Sequence, residues 1–583
     1  MIRKLARSIR QYKRDTILTP LSMTLEVIME VLLPIIMADL IDNGISAGNS
    51  AIVWRDGLLL AGVSILSLLS GLLGGVFGAR ASSGFARNLR HDMYYRLQDY
   101  SFSNIDKFST SSLITRLTTD VSNVQNAFQM LIRMAARSPL MLIFSGIMAF
   151  RVNARLALIF LCVVPFLAVG LTYVATHAHP VFRKVFKTYD SLNNVVQENV
   201  RGMRVVKSFV REDYEDKKFE DISGQVCTLF TKAERIIALN SPLMQFAMYA
   251  CTLLISWFGA KFILSSVGQP NAMTTGELNS LLTYSMQILG SLMMLSFMFV
   301  MLTISRASGE RICEVLDEQS DLHSPENART EIPDGSVDFN GVSFSYAGTK
   351  KRLCLENVNL HIHSGETIGI VGGTGSSKST LVQLIPRLYD ATEGVVKVGG
   401  HDVKEYDLEA LRNSVAMVLQ KNVLFSGTIR ENLRWGNPDA TDEELVAACR
   451  LAQAHEFIEG FPQGYDTFIE QGGSNVSGGQ KQRLCIARAI LKKPKILILD
   501  DSTSAVDTRT DALIREGMKK IIPGTTTFII AQRVSSVMDA DKIIVLDGGR
   551  VNGFGTHDEL MQTNEIYREV YTSQTKGGGD YDE

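Results

Sequence analysis

The chain has 583 residues, of which 46% are apolar and 21% are charged, and its formal net charge at pH 7 is −2. This apolar content excludes an ordinary soluble protein of the same size, while the charge argues neither for nor against nucleic acid. The composition favours two to four domains divided between a lipid-embedded part and a soluble part. Seven cysteines without a CxxC pair indicate scattered reduced thiols rather than a disulfide or metal framework.

Six segments before residue 306 are predicted to be membrane-spanning helices, because a bilayer core of roughly 30 Å needs about 20 apolar residues. They are 17–41, 57–77, 135–150 (extended back through Leu131), 156–175, 236–264 and 278–304. The basic start MIRKLARSIRQYKRD leads directly into the first span, which is too long for the apolar part of a cleaved signal peptide.

Lysines and arginines predict the orientation of these spans. They are dense at the N-terminus and in the connections 80–130 and 178–235, so we expect both termini and both connections to be cytoplasmic. The turn RVNAR at 151–155 is a contrary signal, because it places two arginines outside. Helical periodicity in the connections predicts cytoplasmic stalks about 30 Å long that turn near 103–109 and 202–208. These tips either press on a neighbouring domain or are solvated hairpins.

Two groups of residues are candidates for a substrate cavity in the membrane. Glu26 and Glu30 share one face of the first span, where ionisable groups are costly and usually face a cavity or a partner. They either recognise cationic substrates or are structural carboxylates bonded to neighbouring helices. The sixth span is rich in methionine, which suits a promiscuous apolar cavity but also serves ordinary packing. The candidates from this span are Met294, Phe297 and Met298.

After a polar linker at 311–335, short strands alternate with helices and predict an α/β domain. Its stretch ETIGIVGGTGSSKSTL (366–381) nearly meets G-x-x-x-x-G-K-[ST], with Ser377 in place of the second glycine. Backbone N–H groups of such a loop cradle phosphates, the lysine reaches the β- and γ-phosphates, and the last serine binds Mg²⁺. Serine is tolerated at 377 if φ is negative and is strained otherwise.

Two further motifs extend this nucleotide site. In ILILDDSTSAVD (496–507), Asp500 ends an apolar strand, where a carboxylate can hold phosphate-bound Mg²⁺. In NVSGGQKQRLCIARAIL (475–491), a Ser-Gly-Gly turn opens a helix and forms a second anion site. One domain rarely needs two phosphate cradles, so we expect this second one to face the nucleotide of another subunit.

With these motifs in this order, the chain resembles the ATP-binding-cassette exporters over almost its whole length, as a half-transporter. The resemblance implies a multidomain membrane protein with an all-α six-helix transmembrane domain of the type I exporter kind and an α/β P-loop nucleotide-binding domain. We therefore expect an amphipathic elbow (1–16), a transmembrane domain with cytoplasmic stalks (17–310), a linker (311–335), a nucleotide-binding domain (336–572) and a disordered tail (573–583).

The resemblance also implies ATP and Mg²⁺ as cofactors and assigns roles to individual residues. Tyr346 stacks on adenine, and the other ATP-binding residues are Gly372, Thr374, Gly375, Ser376, Ser377, Lys378, Ser379, Thr380 and Gln420. The metal ligands are Ser379, Gln420 and Asp500. Ser477, Gly478, Gly479 and Gln480 form the signature that clasps the partner's ATP, and Asp507 lies at the dimer seam. The stalk tips correspond to coupling helices.

Two catalytic positions depart from the family pattern. Asp501 replaces a glutamate that orients the attacking water. Because aspartate is one methylene shorter, its carboxylate is pulled back by roughly 1.5 Å. Misplacement of about 1 Å can cost a hundredfold in rate. Gln532 replaces a histidine that contacts the γ-phosphate. Together with Ser377, these changes predict an ATP site that hydrolyses slowly or not at all.

The whole pattern predicts the degenerate-site subunit of a bacterial heterodimeric multidrug exporter. Its partner would be a second half-transporter with the glutamate and histidine intact, and no nucleic-acid partner is expected. It would act in the cell membrane as a multi-pass protein that exports drugs or other amphiphilic small molecules. The alternatives are a homodimeric lipid or peptide exporter, an ATP-sensing membrane regulator, and a soluble ATPase that oligomerises through its first half.

Overall fold

Long apolar stretches with few breakers form the helices of the N-terminal half. The computed structural model describes residues 1–265, 273–348, 352–501, 506–521 and 524–576. The helices before the linker are α1 Ile2–Leu5, α2 Lys13–Asp39, α3 Ser50–Gln98, α4 Phe102–Lys107, α5 Thr110–Thr115, α6 Val121–Val152, α7 Ala154–Ser208, α8 Glu212–Ala238, α9 Asn240–Ser265 and α10 Thr275–Asp317. Contacts divide the chain into a first unit, Met1–Gln98 with Thr110–Glu318, and a second unit, Asp99–Ser109 with Gln319–Glu583.

The first unit is all-helical and confirms the predicted membrane architecture. Among the described residues, six helices or helix pairs are long and apolar enough to cross a membrane. With 49 residues, α3 is roughly 70 Å long, and α7 with its 55 residues is longer still. Both are more than twice as long as a bilayer core is thick, which leaves stalks beyond the apolar spans.

Small residues bring α2 and α3 close together. A Cβ atom added at Gly74 of α3 would lie 2.3 Å from Cε of Met23, so a larger residue there would force the end of this methionine to move. A cluster of buried apolar side chains from α2, α6, α7, α9 and α10 forms the core of this unit, including Val27, Leu156, Ile255 and Leu281.

The structure corrects three of the predicted boundaries. The stalk of α7 continues through the predicted turn at 202–208, and the chain turns at 209–211 instead. The helix accommodates Gly202 at a cost of about 1 kcal/mol. α10 runs to Asp317, so the first part of the predicted linker 311–335 is helical. The final helix includes residues 573–576 of the predicted tail, and the rest of the tail lies outside the described residues. The first tip, near 103–109, does contain a short helix, α4.

The second unit contains the predicted α/β domain. Its strands are β1 Val337–Phe344, β2 Leu355–Ile362, β3 Thr367–Gly372, β4 Glu393–Val398, β5 His401–Asp402, β6 Val415–Val418, β7 Gly427–Thr428, β8 Phe468–Ile469, β9 Ile496–Asp500, β10 Thr526–Ile530, β11 Lys542–Asp547 and β12 Arg550–Gly555. Its helices are α11 Lys378–Gln383, α12 Leu408–Ser414, α13 Ile429–Arg434, α14 Asp442–Leu451, α15 His455–Glu459, α16 Gly478–Leu491, α17 Thr508–Ile521, α18 His557–Thr563 and α19 Glu565–Lys576.

A mostly parallel sheet positions the candidate site. Its strand order is β12-β11-β3-β10-β9-β6, and only the edge strand β12 is antiparallel. Every residue of β9, ILILD, is buried, as expected for a strand covered on both faces. A second sheet, in the order β2-β1-β4-β5, is antiparallel. Ligands of open parallel sheets bind beyond the carboxyl ends of the strands, which is where the predicted motifs lie.

Candidate functional site

Three neighbouring parallel strands bring the separate motifs together. In the register of the sheet, Ile530 at the end of β10 lies beside Ile370 of β3 on one side and Asp500 of β9 on the other. The phosphate loop follows β3, Asp501 follows β9, and Gln532 follows β10 by two residues. Residues distant in sequence therefore meet at one edge of the sheet.

The glycine-rich loop after β3 has the geometry of a phosphate cradle. A Cβ atom at Gly372 would lie 2.2 Å from the backbone oxygen of Leu546, so this position requires glycine. The amine of Lys378 folds back over the loop and donates to the carbonyls of Gly372 and Gly373, both at 2.8 Å. Burial lowers the pKa of Lys378 below its ordinary value. A phosphate bound in the loop would replace these carbonyls as the partner of a lysine that is already positioned over it.

Ser377 occupies a strained backbone position. Its φ of +70° and ψ of +28° place it in the left-handed region, and its side chain caps no backbone group of α11. A residue with a Cβ atom pays about 1–2 kcal/mol there relative to glycine. Serine is therefore strained at position 377 rather than tolerated there.

Ser379 and Asp500 form an oxygen-rich pair suited to Mg²⁺. The Ser379 hydroxyl donates to Oδ1 of Asp500 at 3.0 Å. Burial, and then the neighbouring Asp501 carboxylate, raise the pKa of Asp500. A bound cation would relieve this desolvated carboxylate, and Mg²⁺ prefers oxygen ligands that include substrate phosphates. The described residues contain no cluster of three or more His, Cys, Asp or Glu side chains that could hold a metal alone.

The carboxylate of Asp501 is held by two glutamine amides. Gln532 Nε2 donates to Asp501 Oδ2 at 2.7 Å, and Gln420 Nε2 lies 3.4 Å from the same oxygen. Asp501 is buried and its φ is +49°. Gln574 fixes the backbone of Gln532 by donating to its carbonyl at 2.9 Å. The two departures from the family pattern therefore form one hydrogen-bonded pair, which sequence reasoning missed because it treated them separately.

The predicted adenine-stacking residue belongs to an aromatic cluster. Tyr346 is half exposed, and its hydroxyl lies 3.1 Å from Oγ1 of Thr380 at the phosphate loop helix. The ring of Tyr389 packs edge-on against it at 5.2 Å, and the Tyr389 hydroxyl donates to Oδ2 of Asp106 on α4 at 2.7 Å. Phe102 of α4 lies 6.0 Å from the Tyr389 ring. Two aromatic contacts thus connect Tyr346 to α4, the predicted first coupling helix.

The signature motif is an exposed helix N-terminus. Ser477 and Gln480 form a capping box at the start of α16, in which each side chain accepts from the backbone N–H of the other. Ser477 and Gly478 are exposed, so their polar groups are accessible to another molecule. Gly479 follows in the first turn. The prediction that this Ser-Gly-Gly turn opens a helix is confirmed, because the capping residues lie only three positions apart in the chain.

Asp507, predicted to lie at a dimer seam, is also exposed and accepts from the backbone N–H of Thr510 at 2.9 Å. This hydrogen bond holds the pKa of Asp507 below its ordinary value. The preceding part of the motif SAVD, residues 504–505, lies outside the described residues.

The membrane glutamates are engaged by α6. Arg137 Nη2 donates to both carboxylate oxygens of Glu30, at 2.8 and 3.0 Å, and lies 3.5 Å from Glu26 Oε1. On α10, the side chain of Gln287 donates to the backbone carbonyl of Glu30 at 3.2 Å. The methionine-rich face lies further along α10, where Met294 and Phe297 are exposed and Met298 is half-buried.

Comparison with known proteins agrees with this geometry. Residues 16–292 match the family model described as the ABC transporter transmembrane region, and residues 355–504 match the model described as ABC transporter. The chain is 37% identical to the ABC transporter ATP-binding protein YfiB of Bacillus subtilis, with 95% of each chain covered. It belongs to the ABC transporters. The protein Rv1273c of Mycobacterium tuberculosis, of the same family, is 35% identical with 98% of each chain covered.

A solved structure supports the ABC exporter fold. The bacterial Atm1-family ABC exporter with ATP bound superposes with a TM-score of 0.80, at 24% identity, covering 97% of this chain and 98% of that one. The fold class predicted from the sequence is thereby confirmed. As an ABC transporter, the chain is a multi-pass membrane protein with an ATPase domain, and this family couples ATP hydrolysis to transport.

Proposed function

We propose that this ABC transporter chain is one half of a heterodimeric exporter of drugs or other amphiphilic small molecules, and that its own ATP site is degenerate. The observation that carries the proposal is the hydrogen bond from Gln532 to Asp501, 2.7 Å long. The amide of Gln532 occupies Oδ2 of Asp501, so this oxygen is not available to orient an attacking water. The shorter aspartate side chain adds to this deficit.

The remaining groups of the site support binding of ATP without efficient cleavage. Lys378 and the loop backbone contact the phosphates, Tyr346 stacks on the adenine, and Ser379, Asp500 and Gln420 would hold Mg²⁺. When bound, Mg²⁺ neutralises charge on the phosphate oxygens. Binding of ATP and Mg²⁺ by these residues does not require Asp501 to act as a base.

The exposed signature serves a different site in this proposal. Ser477, Gly478 and Gly479 contact the γ-phosphate held by the partner subunit, whose own glutamate and histidine are intact, and Asp507 lies at the seam between the subunits. ATP binding closes the two nucleotide-binding domains, and the segment around α4 and the turn at 209–211 transmit closure to the membrane helices. Both termini are cytoplasmic, and hydrolysis at the partner's site resets the cycle.

The test compares two substitutions in the purified pair of subunits. Asp501→Asn is expected to leave most ATP turnover intact, whereas neutralising the partner's equivalent acid is expected to abolish it. The reverse result would mean that the catalytic and degenerate sites have been assigned to the wrong subunits. ATP-dependent efflux of an amphiphilic dye from vesicles that need both subunits separates a transporter from an ATP-sensing regulator.

A homodimeric lipid or peptide exporter is the second candidate, because one chain carries both a phosphate loop and a nearly intact signature and retains a carboxylate at 501. ATPase activity of the chain purified alone decides between them. Slow turnover, close to that of a Lys378→Ala control, supports the heterodimer, and robust turnover supports the homodimer.

A further inference from the structure

Four ionisable side chains meet within the membrane-spanning part of the first unit. Glu26 and Glu30 extend from α2, and Arg133 and Arg137 extend from α6. A single nitrogen of Arg137, Nη2, lies within 4 Å of both carboxylates. Arg133 lies one turn before Arg137 on the same face of α6. These four residues are called the charged cluster below.

Glycines of α3 shape the wall of the charged cluster. A Cβ atom at Gly71 would lie 3.1 Å from Glu26 Oε1, and one at Gly78 would lie 3.3 Å from the stem of Arg133. The two glycines are about 10 Å apart along the helix. Without a side chain at either position, α3 lies directly against both charged residues and limits where they can move.

The hydrogen-bonding capacity of the charged cluster is only partly used. Among the described residues, Arg133 has no hydrogen bond and no ion pair within 4 Å, and Nε of both arginines and Oε2 of Glu26 are buried without a partner. The side chains still reach the surface of the chain: Arg137 is 32% exposed, Glu30 25% and Glu26 15%. Ionisable groups at membrane depth are costly, and they persist chiefly where a ligand or a pathway needs them.

The charge balance selects the kind of ligand. Two glutamates and two arginines sum to zero, so a purely cationic or purely anionic ligand would leave a net charge in a low-dielectric region. A cation would also have to compete with Arg137 for Glu30. A ligand that carries one charge of each sign keeps the balance and offers an acceptor to Arg133 and a cation to Glu26.

We propose that the charged cluster binds the headgroup of a zwitterionic amphiphile, with its anionic group at Arg133 and its cationic group at the glutamates. Glu30 lies about 16 Å from the outer end of the predicted first span, so the cationic group is bound at membrane depth, whereas Arg133 holds the anionic group near the cytoplasmic end of the predicted third span. The inference names a substrate class for the proposed exporter and in that sense rests on its proposed function. Its test measures binding of probes without nucleotide or partner, so the headgroup assignment and the proposed exporter function can fail separately.

Three probes with the same alkyl chain test the assignment: dodecylphosphocholine, dodecyl phosphate and dodecyltrimethylammonium. Equilibrium binding of each radiolabelled probe to the full-length chain is measured in uncharged maltoside micelles at equal mole fractions. We expect saturable binding that is tightest for the zwitterionic probe. Tightest binding of the cationic probe, or no saturable binding of the zwitterionic one, would overturn the proposal.

Charge-changing variants should alter the order of the probes as well as their affinities. Arg133→Gln leaves the charged cluster with one net negative charge, so zwitterion binding should weaken about tenfold and the cationic probe should gain relative to it. Glu26→Gln should shift the preference toward dodecyl phosphate. Arg151→Gln, at the other end of α6, is the matched control and should change nothing. An unchanged order of probes in both cluster variants would refute a ligand role.

Arg133→Lys keeps the charge but loses the planar fork, so it should retain the native order of probes at lower affinity, even if Arg133→Gln folds poorly. Organic extraction of the purified chain then identifies the source of the headgroup. A zwitterionic phospholipid recovered in stoichiometric amount identifies a resident lipid. Binding only of added probe indicates an exchangeable ligand, as expected of cargo, and either result supports the headgroup chemistry.

Discussion

Replacing Asp501 by glutamate and Gln532 by histidine, the residues of the family pattern, should activate ATP hydrolysis at this chain's own site. Asp501→Glu moves the carboxylate forward by roughly 1.5 Å, and Gln532→His removes the amide that now donates to Asp501 at 2.7 Å. Because an error of about 1 Å costs up to a hundredfold, the double variant should gain about a hundredfold in turnover. That gain corresponds to ~2.7 kcal/mol of activation free energy.

The two substitutions should be strongly non-additive, since the residues contact each other. Asp501→Glu alone leaves an amide whose backbone is fixed by Gln574, so its gain should stay below about tenfold. The assay is phosphate release by the full-length chain at saturating ATP and Mg²⁺, with Lys378→Ala as the background. A double variant that binds ATP normally but stays at that background would refute the reasoning, as would full recovery by either single change.

The other predictions concern backbone strain, a buried ion pair and coupling. Ser377→Gly should stabilise the chain by about 0.5–1 kcal/mol, since relief of the left-handed strain exceeds the added backbone entropy, and thermal unfolding with and without ATP measures it. Gln453→Gly, also at positive φ, is the positive control and should show a similar gain, and no gain at Ser377 would contradict the strain. Arg311→Ala should cost about 2 kcal/mol because it removes the half-exposed partner of the fully buried Asp120, whereas Arg306→Ala, in an exposed pair, should cost under ~0.5 kcal/mol in the same denaturation assay. Tyr389→Phe removes the hydrogen bond to Asp106, so substrate stimulation of ATPase should fall about fivefold while basal ATPase is retained. Tyr94→Phe should leave both rates unchanged, and equal stimulation in the two variants would exclude a role for the Asp106 contact.

The sequence by itself determined the architecture and the nucleotide motifs. Apolar runs of bilayer length set the six spanning helices, and motifs such as the phosphate loop and the VSGGQ signature act through adjacent backbone groups, so their geometry is encoded locally. The same local logic explains the boundary errors. Glycine at 202 resembles a turn signal, but a long helix accommodates it, and the polar residues that begin the predicted linker continue α10 for two further turns.

Tertiary structure decided everything that depends on residues far apart in the chain. Only the parallel register of β9 and β10 brings Gln532 to Asp501, and only the packing of α6 against α2 pairs Arg137 with Glu30. The backbone angle of Ser377, which separates a tolerated serine from a strained one, is likewise imposed by the loop around it. Such contacts follow from the packing of whole elements, and no spacing within a single segment of sequence specifies them.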